Sequence, residues 1–405
     1  MKPFAVSLFL AAILLSGCGG SAPSAPVLGS AGGLSATVVL EVGNKNTATF
    51  AWTSGVGQGQ TLEIGRSSGA SDVAAIELGP AVTTHTQTAL PIGVLYARVV
   101  ATAGGTRAAP SNEVLVGSYD PRQIIDAALL GSGPLAVGDN QGCARFGSVM
   151  DGFPLGTKLT IQGTTTLSVE QMTALRDTAA QVAALTAGND SAEVVLVADP
   201  GSRDSNPGQD RMLIRAATQA EVLEQCRCTN CVGCASSYFR GSTKTGMFIQ
   251  VLSTNGAPTV AHEIGHGVGF CHIINAAGIN PPMTMGVTTD GLFSPNGRLS
   301  KIDPVLATAM ATAYKAGLKP GDPRPRFLSA GLVPPDGGSG LSAMGLDAAG
   351  VVSDPWRPLR SKSRDELAKI AEKMLGKGAH IEFTDGTDEV RVTKLFCQIE
   401  TPTMR

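Results

Sequence analysis

The sequence predicts a multidomain chain: an N-terminal β-sandwich, then a larger α+β domain of mixed twisted sheet around a histidine-rich helix, then a small α+β tail. Three observations carry this. Short apolar segments separated by turn residues recur from 35 to 118 at the spacing of a seven-strand antiparallel sandwich. Residues 119–321 mix strand-like runs with periodic helical ones. Residues 322–358 are rich in Pro and Gly and read as a linker, leaving 359–405 as a separate tail. A chain of 405 residues is long enough for two or three domains with real cores. Its net charge of −2 and 16% charged residues give no electrostatic case for nucleic acid.

The chain opens as an export signal. Lys2 supplies positive charge, and residues 4–15 are nearly all apolar but too few to span a bilayer. Leu15-Ser16-Gly17-Cys18 is similar to a bacterial lipobox. That resemblance implies a signal peptide over 1–17, cleavage before Cys18 and lipid on its sulfur. Gly19, where an aspartate would signal retention, implies the outer membrane in a Gram-negative cell. Residues 18–34 read as a flexible tether of Gly, Ser, Ala and Pro. No second long apolar run appears, so the lipid is the expected membrane attachment.

Within the sandwich, residues 36–40, 47–52, 61–65, 73–78, 94–101 and 112–116 are the strand candidates. Trp52 ends the second, and Tyr96 sits in the fifth behind Leu90-Pro91-Ile92-Gly93; both read as core residues. These details resemble a fibronectin type III domain. The module carries no chemistry of its own; it acts as a spacer or a polymer binder, and the residues do not choose.

In the α+β domain, residues 159–161 read as a strand. Ser168 and Gln171 form a capping box for a helix whose Val169, Met172, Leu175, Ala179, Val182 and Leu185 share one face, with Gly188 closing the segment. Residues 192–197 read as a buried strand, and 212–215 and 247–251 as further strands. Pro258 fits the first turn of the next helix. That helix carries His262, Glu263, His266, Gly269 and His272 in the order H-E-x-x-H-x-x-G-x-x-H. Residues four apart share a helix face, so His262 and His266 can hold one metal ion. Glu263 points to the flank, where it reaches a water on the metal. Gly269 can take positive φ and end the helix, returning the chain so that His272 supplies a third ligand. A fourth position stays open, as catalysis requires. Three of the five histidines fall in these eleven residues, which argues against scattered surface histidines.

The extended motif resembles the metzincin clan of zinc endopeptidases. The resemblance implies one catalytic zinc on His262, His266 and His272, and peptide-bond hydrolysis by a metal-activated water with Glu263 as general base. It also implies a methionine turn below the metal. Pro281-Pro282-Met283-Thr284-Met285-Gly286 supplies it, with Met283 as the turn methionine and Met285 as the alternative; Met285 then stands where the family has a tyrosine. In the family an edge strand before the helix pairs with extended substrate, a role that would fall to residues 247–252 here. Residues 286–293 would wall the specificity pocket, and a helix from about 299–304 to 316 would close the lower half. The substrate is then a protein or peptide. The alternative function is a surface binding or adhesion protein with a catalytically silent metal domain.

Cys226, Cys228, Cys231 and Cys234 lie within nine residues. They read as disulfides of an exported protein, or as a metal cluster. Cys143, Cys271 and Cys397 complete the set. Tying Cys271 to an upstream cysteine would brace His272, and Cys143 is a candidate inhibitory ligand. Residues 199–210 are rich in side-chain oxygens; calcium is conceivable there, but their spacing matches no standard calcium loop and a solvated turn is the stronger reading. In the tail, residues 360–375 read as a helix, and 381–383 and 389–392 as strands.

Overall fold

Alternating burial organises the first domain. A computed structural model describes residues 28–41, 46–136, 149–201, 206–226, 231–274, 277–279, 282–287, 292–293, 299–335, 356, 359–375, 379–384 and 388–399. The signal peptide, Cys18, Cys143, Cys228 and most of the expected linker lie outside them. The sandwich comprises β1 (Gly32–Val39), β2 (Thr47–Thr53), β3 (Gly59–Gly65), β4 (Ala74–Leu78), β5 (Thr84–Gln87), β6 (Gly93–Ala103), β7 (Thr106–Arg107) and β8 (Val114–Ser118). One sheet has the order β1-β2-β5; the other runs β4-β3-β6-β7, with β8 also on β6. Ala48, Phe50 and Trp52 point inward from β2 onto Leu62, Ile64, Leu95 and Val99. Burying each large apolar side chain contributes about 1.5–3 kcal/mol. The Trp52 indole N–H donates to Gln60 Oε1 at 3.0 Å, so its polar edge is satisfied inside the core.

Three expectations need correction here. The sandwich begins before residue 35, since β1 starts at Gly32 and Leu34 is buried. Tyr96 is only half-buried, because Leu95, Ala97 and Val99 take the inward positions of β6 and Tyr96 falls between them. β5 has the sequence Thr-His-Thr-Gln, with no apolar residue for a hydropathy pattern to find.

The α/β body follows directly. Its elements are α1 (Pro121–Leu130), β9 (Lys158–Thr164), α2 (Val169–Leu185), β10 (Ser191–Val197), β11 (Arg211–Ala217), α3 (Gln219–Cys226), β12 (Cys231–Arg240), β13 (Thr243–Leu252), α4 (Ala257–Val268), β14 (Ile273–Ile274), β15 (Gly286–Val287), β16 (Leu292–Phe293), α5 (Pro304–Lys315) and α6 (Arg324–Ser329). The tail adds α7 (Arg364–Leu375), β17 (His380–Phe383) and β18 (Glu389–Ile399). One eight-stranded sheet spans body and tail in the order β10-β9-β11-β13-β12-β18-β16, with β17 also on β18. β10, β9, β11 and β13 are mutually parallel, and β12 is antiparallel to β13.

The Ser168–Gln171 capping box forms as expected: Gln171 N donates to Ser168 Oγ at 3.1 Å and Ser168 N to Gln171 Oε1 at 2.9 Å. The Gln171 amide also donates to the carbonyls of Leu252 and Asn255, tying the start of α2 to the loop that launches α4.

Four expectations about this sheet change. Residues 192–197 are not buried; β10 is its edge strand and Leu196 is 62% exposed. Residues 247–252 are not an edge, since β13 is flanked by β11 and β12. The supposed linker is structured at both ends. Phe327 of α6 is buried, Arg324 grips buried Asp126 with two nitrogens, and Trp356 packs its ring 5.5 Å from Phe239. The tail is no separate module either, because β18 pairs along β12 and Phe239 belongs to the same cluster as Ala371, Ile381, Val390 and Val392. A linker composition reports flexibility in isolation, whereas buried side chains such as Phe327, Leu332 and Val333 dock this segment on the body.

Candidate metal centre

Helix α4 is positioned at both ends by its neighbours. Gly256 is its N-cap, Pro258 lies in its first turn, and Ala257 N donates to Glu170 Oε1 at 3.3 Å. Its C-terminus is a Schellman-type stop. Gly269 takes φ 116°, its N–H reaches the carbonyls of Gly265 and His266, and Phe270 N donates to Gly265 O at 2.9 Å. A Cβ on Gly269 would collide with the Asp151 carbonyl, so glycine is required for both conformation and space. Lys244 closes the same end from β13. Its fully buried ammonium donates to Asp151 Oδ2 at 2.9 Å and to the carbonyls of His266 and Gly267 at 3.3 and 3.2 Å. A cation there also opposes the negative end of the helix dipole.

The sharp stop returns the chain toward His272, and backbone bonds hold it there. Cys271 N donates to Ala128 O at 2.7 Å, Ile273 N to Met285 O at 3.1 Å and Ile274 N to Leu135 O at 2.8 Å. Cys271 is also disulfide-bonded, a covalent brace beside the third histidine. The loop beyond rests on the sandwich, where Gly117 N donates to Gly278 O and the Tyr119 hydroxyl to Ala277 O, both at 2.8 Å. The first domain therefore buttresses the segment between His272 and the methionine turn.

The three imidazoles converge. Their Nε2 atoms lie 3.1, 3.2 and 3.2 Å apart. His262 Nδ1 faces Thr284 O and His266 Nδ1 faces Phe270 O, each at 2.8 Å. A carbonyl oxygen only accepts, so both Nδ1 atoms carry the proton and both Nε2 atoms of neutral rings present lone pairs inward. Lone pairs this close repel one another unless a cation sits among them. An ion bonded to imidazole nitrogens at about 2.0–2.1 Å in a tetrahedral array spaces them roughly 3.3–3.4 Å apart. The observed triangle is within about 0.3 Å of that spacing, so the residues fit a divalent metal. Among the described residues, His262, His266 and His272 are the group of side chains so gathered.

Glu263 is fully buried beside this centre. Its carboxylate packs against β12, since a Cβ on Gly233 would lie 3.1 Å from Glu263 Oε1 and 2.8 Å from the Gln250 carbonyl. Met283 and Met285 are both buried beneath the helix. Met283 O accepts from Gly286 N at 2.9 Å and so closes the turn, while the Met285 sulfur abuts Gly265 of α4. The turn's centre is Thr284, which sequence reasoning passed over. Its carbonyl orients His262, its N–H donates to Asp303 Oδ2 at 2.6 Å, and its hydroxyl donates to Lys301 O at 3.0 Å. Asp303 also caps α5, accepting from Val305 N and Leu306 N at 3.0 Å. Burial pushes its carboxyl above the usual aspartate range, against the pull of these hydrogen bonds. An Asp-Pro pair before an apolar run signals the cap; nothing in the sequence signals its link to Thr284. Lys244 and Asp151 were missed for the same reason.

Cys226 ends α3, Cys231 opens β12, and Cys234 is buried on β12 in a disulfide; Cys397 lies on β18 in register with Gly233. In the oxygen-rich loop, both Asp199 oxygens accept from Arg215 at 2.8 Å, so that carboxylate serves a guanidinium. Among the described residues no helix is long and apolar enough to cross a membrane.

No family model and no curated protein matches the chain. The solved structures described next each cover about a quarter of it. A computationally redesigned β-sandwich protein is 24% identical, covering 23% of this chain and 98% of its own, with a TM-score of 0.19. A Fn3-like protein from Clostridium thermocellum is 23% identical over 24% of this chain and 95% of that one, with a TM-score of 0.18. The third fibronectin III domain of a human protein is 16% identical over 26% and 94%, with a TM-score of 0.20. The sandwich architecture itself stands on the strand order given above.

Proposed function

We propose that this chain is a zinc-dependent endopeptidase of the metzincin type, exported and held to the cell envelope by lipid on Cys18. The observation that carries the reading is the convergence of the Nε2 atoms of His262, His266 and His272, the first two with lone pairs turned inward, with Glu263 packed beside them. These three imidazoles would hold the ion. When bound, zinc supplies Lewis-acid polarisation of a peptide carbonyl and acidifies water. The rest is the work of the protein. Thr284 and Phe270 hold two ligands in the tautomer that turns lone pairs inward. Glu263 takes the proton as water adds to the carbonyl and returns it to the leaving amine. Its buried setting against the β12 backbone limits where that carboxylate can move.

The test is hydrolysis of a mixed peptide library by the full chain, with and without a zinc chelator, beside Glu263→Gln. Cleavage that needs zinc and falls at least about 100-fold in Glu263→Gln, with zinc retained, supports the reading. A Glu263→Gln protein that cleaves like the parent overturns it. Ligand binding that survives chelation, with no cleavage, favours instead an adhesion protein whose sandwich does the work.

A further inference from the structure

A hydrolytic centre has to admit its substrate, yet His262, His266, His272 and Glu263 are each no more than 3% exposed. Glu263 packs on the backbone of β12 at Gly233. One edge of β12 is taken by β13, and the other by β18. In that second pairing Gly233 faces Cys397 and Cys231 faces Gln398, antiparallel. Paired Cα atoms lie only about 4.5–5.5 Å apart, so residues 397–398 are the first backbone beyond the Glu263 contact. On its far side the same stretch runs parallel to β16, with Leu292 opposite Gln398 and Phe293 opposite Ile399. β16 follows the turn whose Thr284 orients His262. The end of β18 therefore runs between β12, the strand beside the general base, and β16, the strand that follows in sequence the turn holding His262.

β18 has two unlike halves. Residues 390–393 pair with both β12 and β17, and Val390 and Val392 are buried in the cluster with Phe239 and Trp356. β17 pairing ends at Thr393. Beyond it the register with β12 shifts on both sides of Gly233, and among the described residues β12 and β16 bracket the strand. The first half is an anchor, and the second a continuation of it along β12 and β16.

We propose that residues 394–399 occupy the channel an extended peptide takes past Glu263, so that the chain's own C-terminal segment is the resident ligand of the site and closes it. This rests on the endopeptidase reading and adds its regulation. Strand addition reads mainly backbone, so a segment of this chain and an outside peptide can use the same edge. The tethered segment wins by proximity, since a short linker gives an effective concentration around millimolar. Substrate entry then requires that residues 394–399 swing out or be cut off.

The experiment compares the full chain, a chain ending at Thr393, and full-length Phe396→Pro, which removes a backbone donor within the extension. Tryptophan fluorescence in a Trp52→Phe background, where Trp356 is the one reporter, shows that the anchored half remains folded in each. The first readout does not depend on catalysis: a fluorescent peptide of residues 394–405 is titrated onto each form in a Glu263→Gln background loaded with zinc. Saturable binding to the shortened and Phe396→Pro chains, at least about tenfold tighter than to the full chain, is expected. The second readout is library hydrolysis by the same three forms with Glu263 intact, expected to rise at least about tenfold when the extension is removed or broken. The proposal is overturned if the peptide binds none of the forms, or binds the full chain as well as the others. Peptide binding as expected with hydrolysis absent from all three forms supports the channel and its occupant while overturning the endopeptidase reading.

Discussion

Lys244→Met isolates what holds the C-terminal end of α4. Lys244 has no exposed surface, and its ammonium makes one ion pair with Asp151 and two hydrogen bonds to helix carbonyls, 5.7 Å from the Phe153 ring centroid. Methionine matches the length of the stem but removes the charge, leaving the Asp151 carboxylate buried without its countercharge. Breaking a buried pair from one side costs about 3–5 kcal/mol. For a body of this size that is a fall in Tm of roughly 6–20 °C, at about 2–4 °C per kcal/mol. The double variant Lys244→Met/Asp151→Leu buries no lone charge and is expected to recover most of the loss. Urea denaturation followed by far-ultraviolet circular dichroism gives all three stabilities. The reasoning fails if Lys244→Met stays within about 1 kcal/mol of the parent, or if the double variant is as damaged as the single. Because the same ammonium binds the carbonyl of His266, zinc affinity measured by chelator competition should fall in the single variant too.

Two further outcomes follow from side chains that the motif does not include. Asp303→Ala removes the cap of α5, costing about 0.5–2 kcal/mol. It also frees Thr284, so zinc affinity is expected to drop by up to about tenfold, whereas Asp303→Asn retains acceptor oxygen and most of the affinity. In the sandwich, burial alone would raise the Glu63 carboxyl, but hydrogen bonds and charge from Arg107 and Arg98 outweigh it and hold the group below the ordinary 4.5. A depressed carboxyl contributes stability that is present above 4.5 and lost as pH falls through the folded-state value. Acid titration of sandwich unfolding, followed through Trp52, should show this slope in the parent and a flatter one in Glu63→Gln.

The centre was legible in the sequence because its chemistry is local. His262 and His266 need only one helix face, and Gly269 supplies the stop that returns His272. The sandwich was legible wherever strands alternate apolar and polar residues, and illegible in β5, where none is apolar. What failed were assignments that depend on distant partners. Residues 226–234 read as a cysteine cluster, yet from Cys231 on they open β12, so the edge role was given to 247–252. The register of β18 on β12 joins residues 149 to 167 positions apart, and no local pattern encodes it. Lys244, between two threonines, has the look of a surface residue; it is buried because Asp151 and two carbonyls satisfy its charge.

The most direct measurement is X-ray absorption at the zinc edge on the full chain loaded with one equivalent of zinc. The account expects imidazole nitrogens and one further light atom at about 2.0–2.1 Å, a pattern lost together with tight binding in His272→Ala. Sulfur scattering at about 2.3 Å, unchanged by His272→Ala, would place the metal on the cysteines and contradict the account.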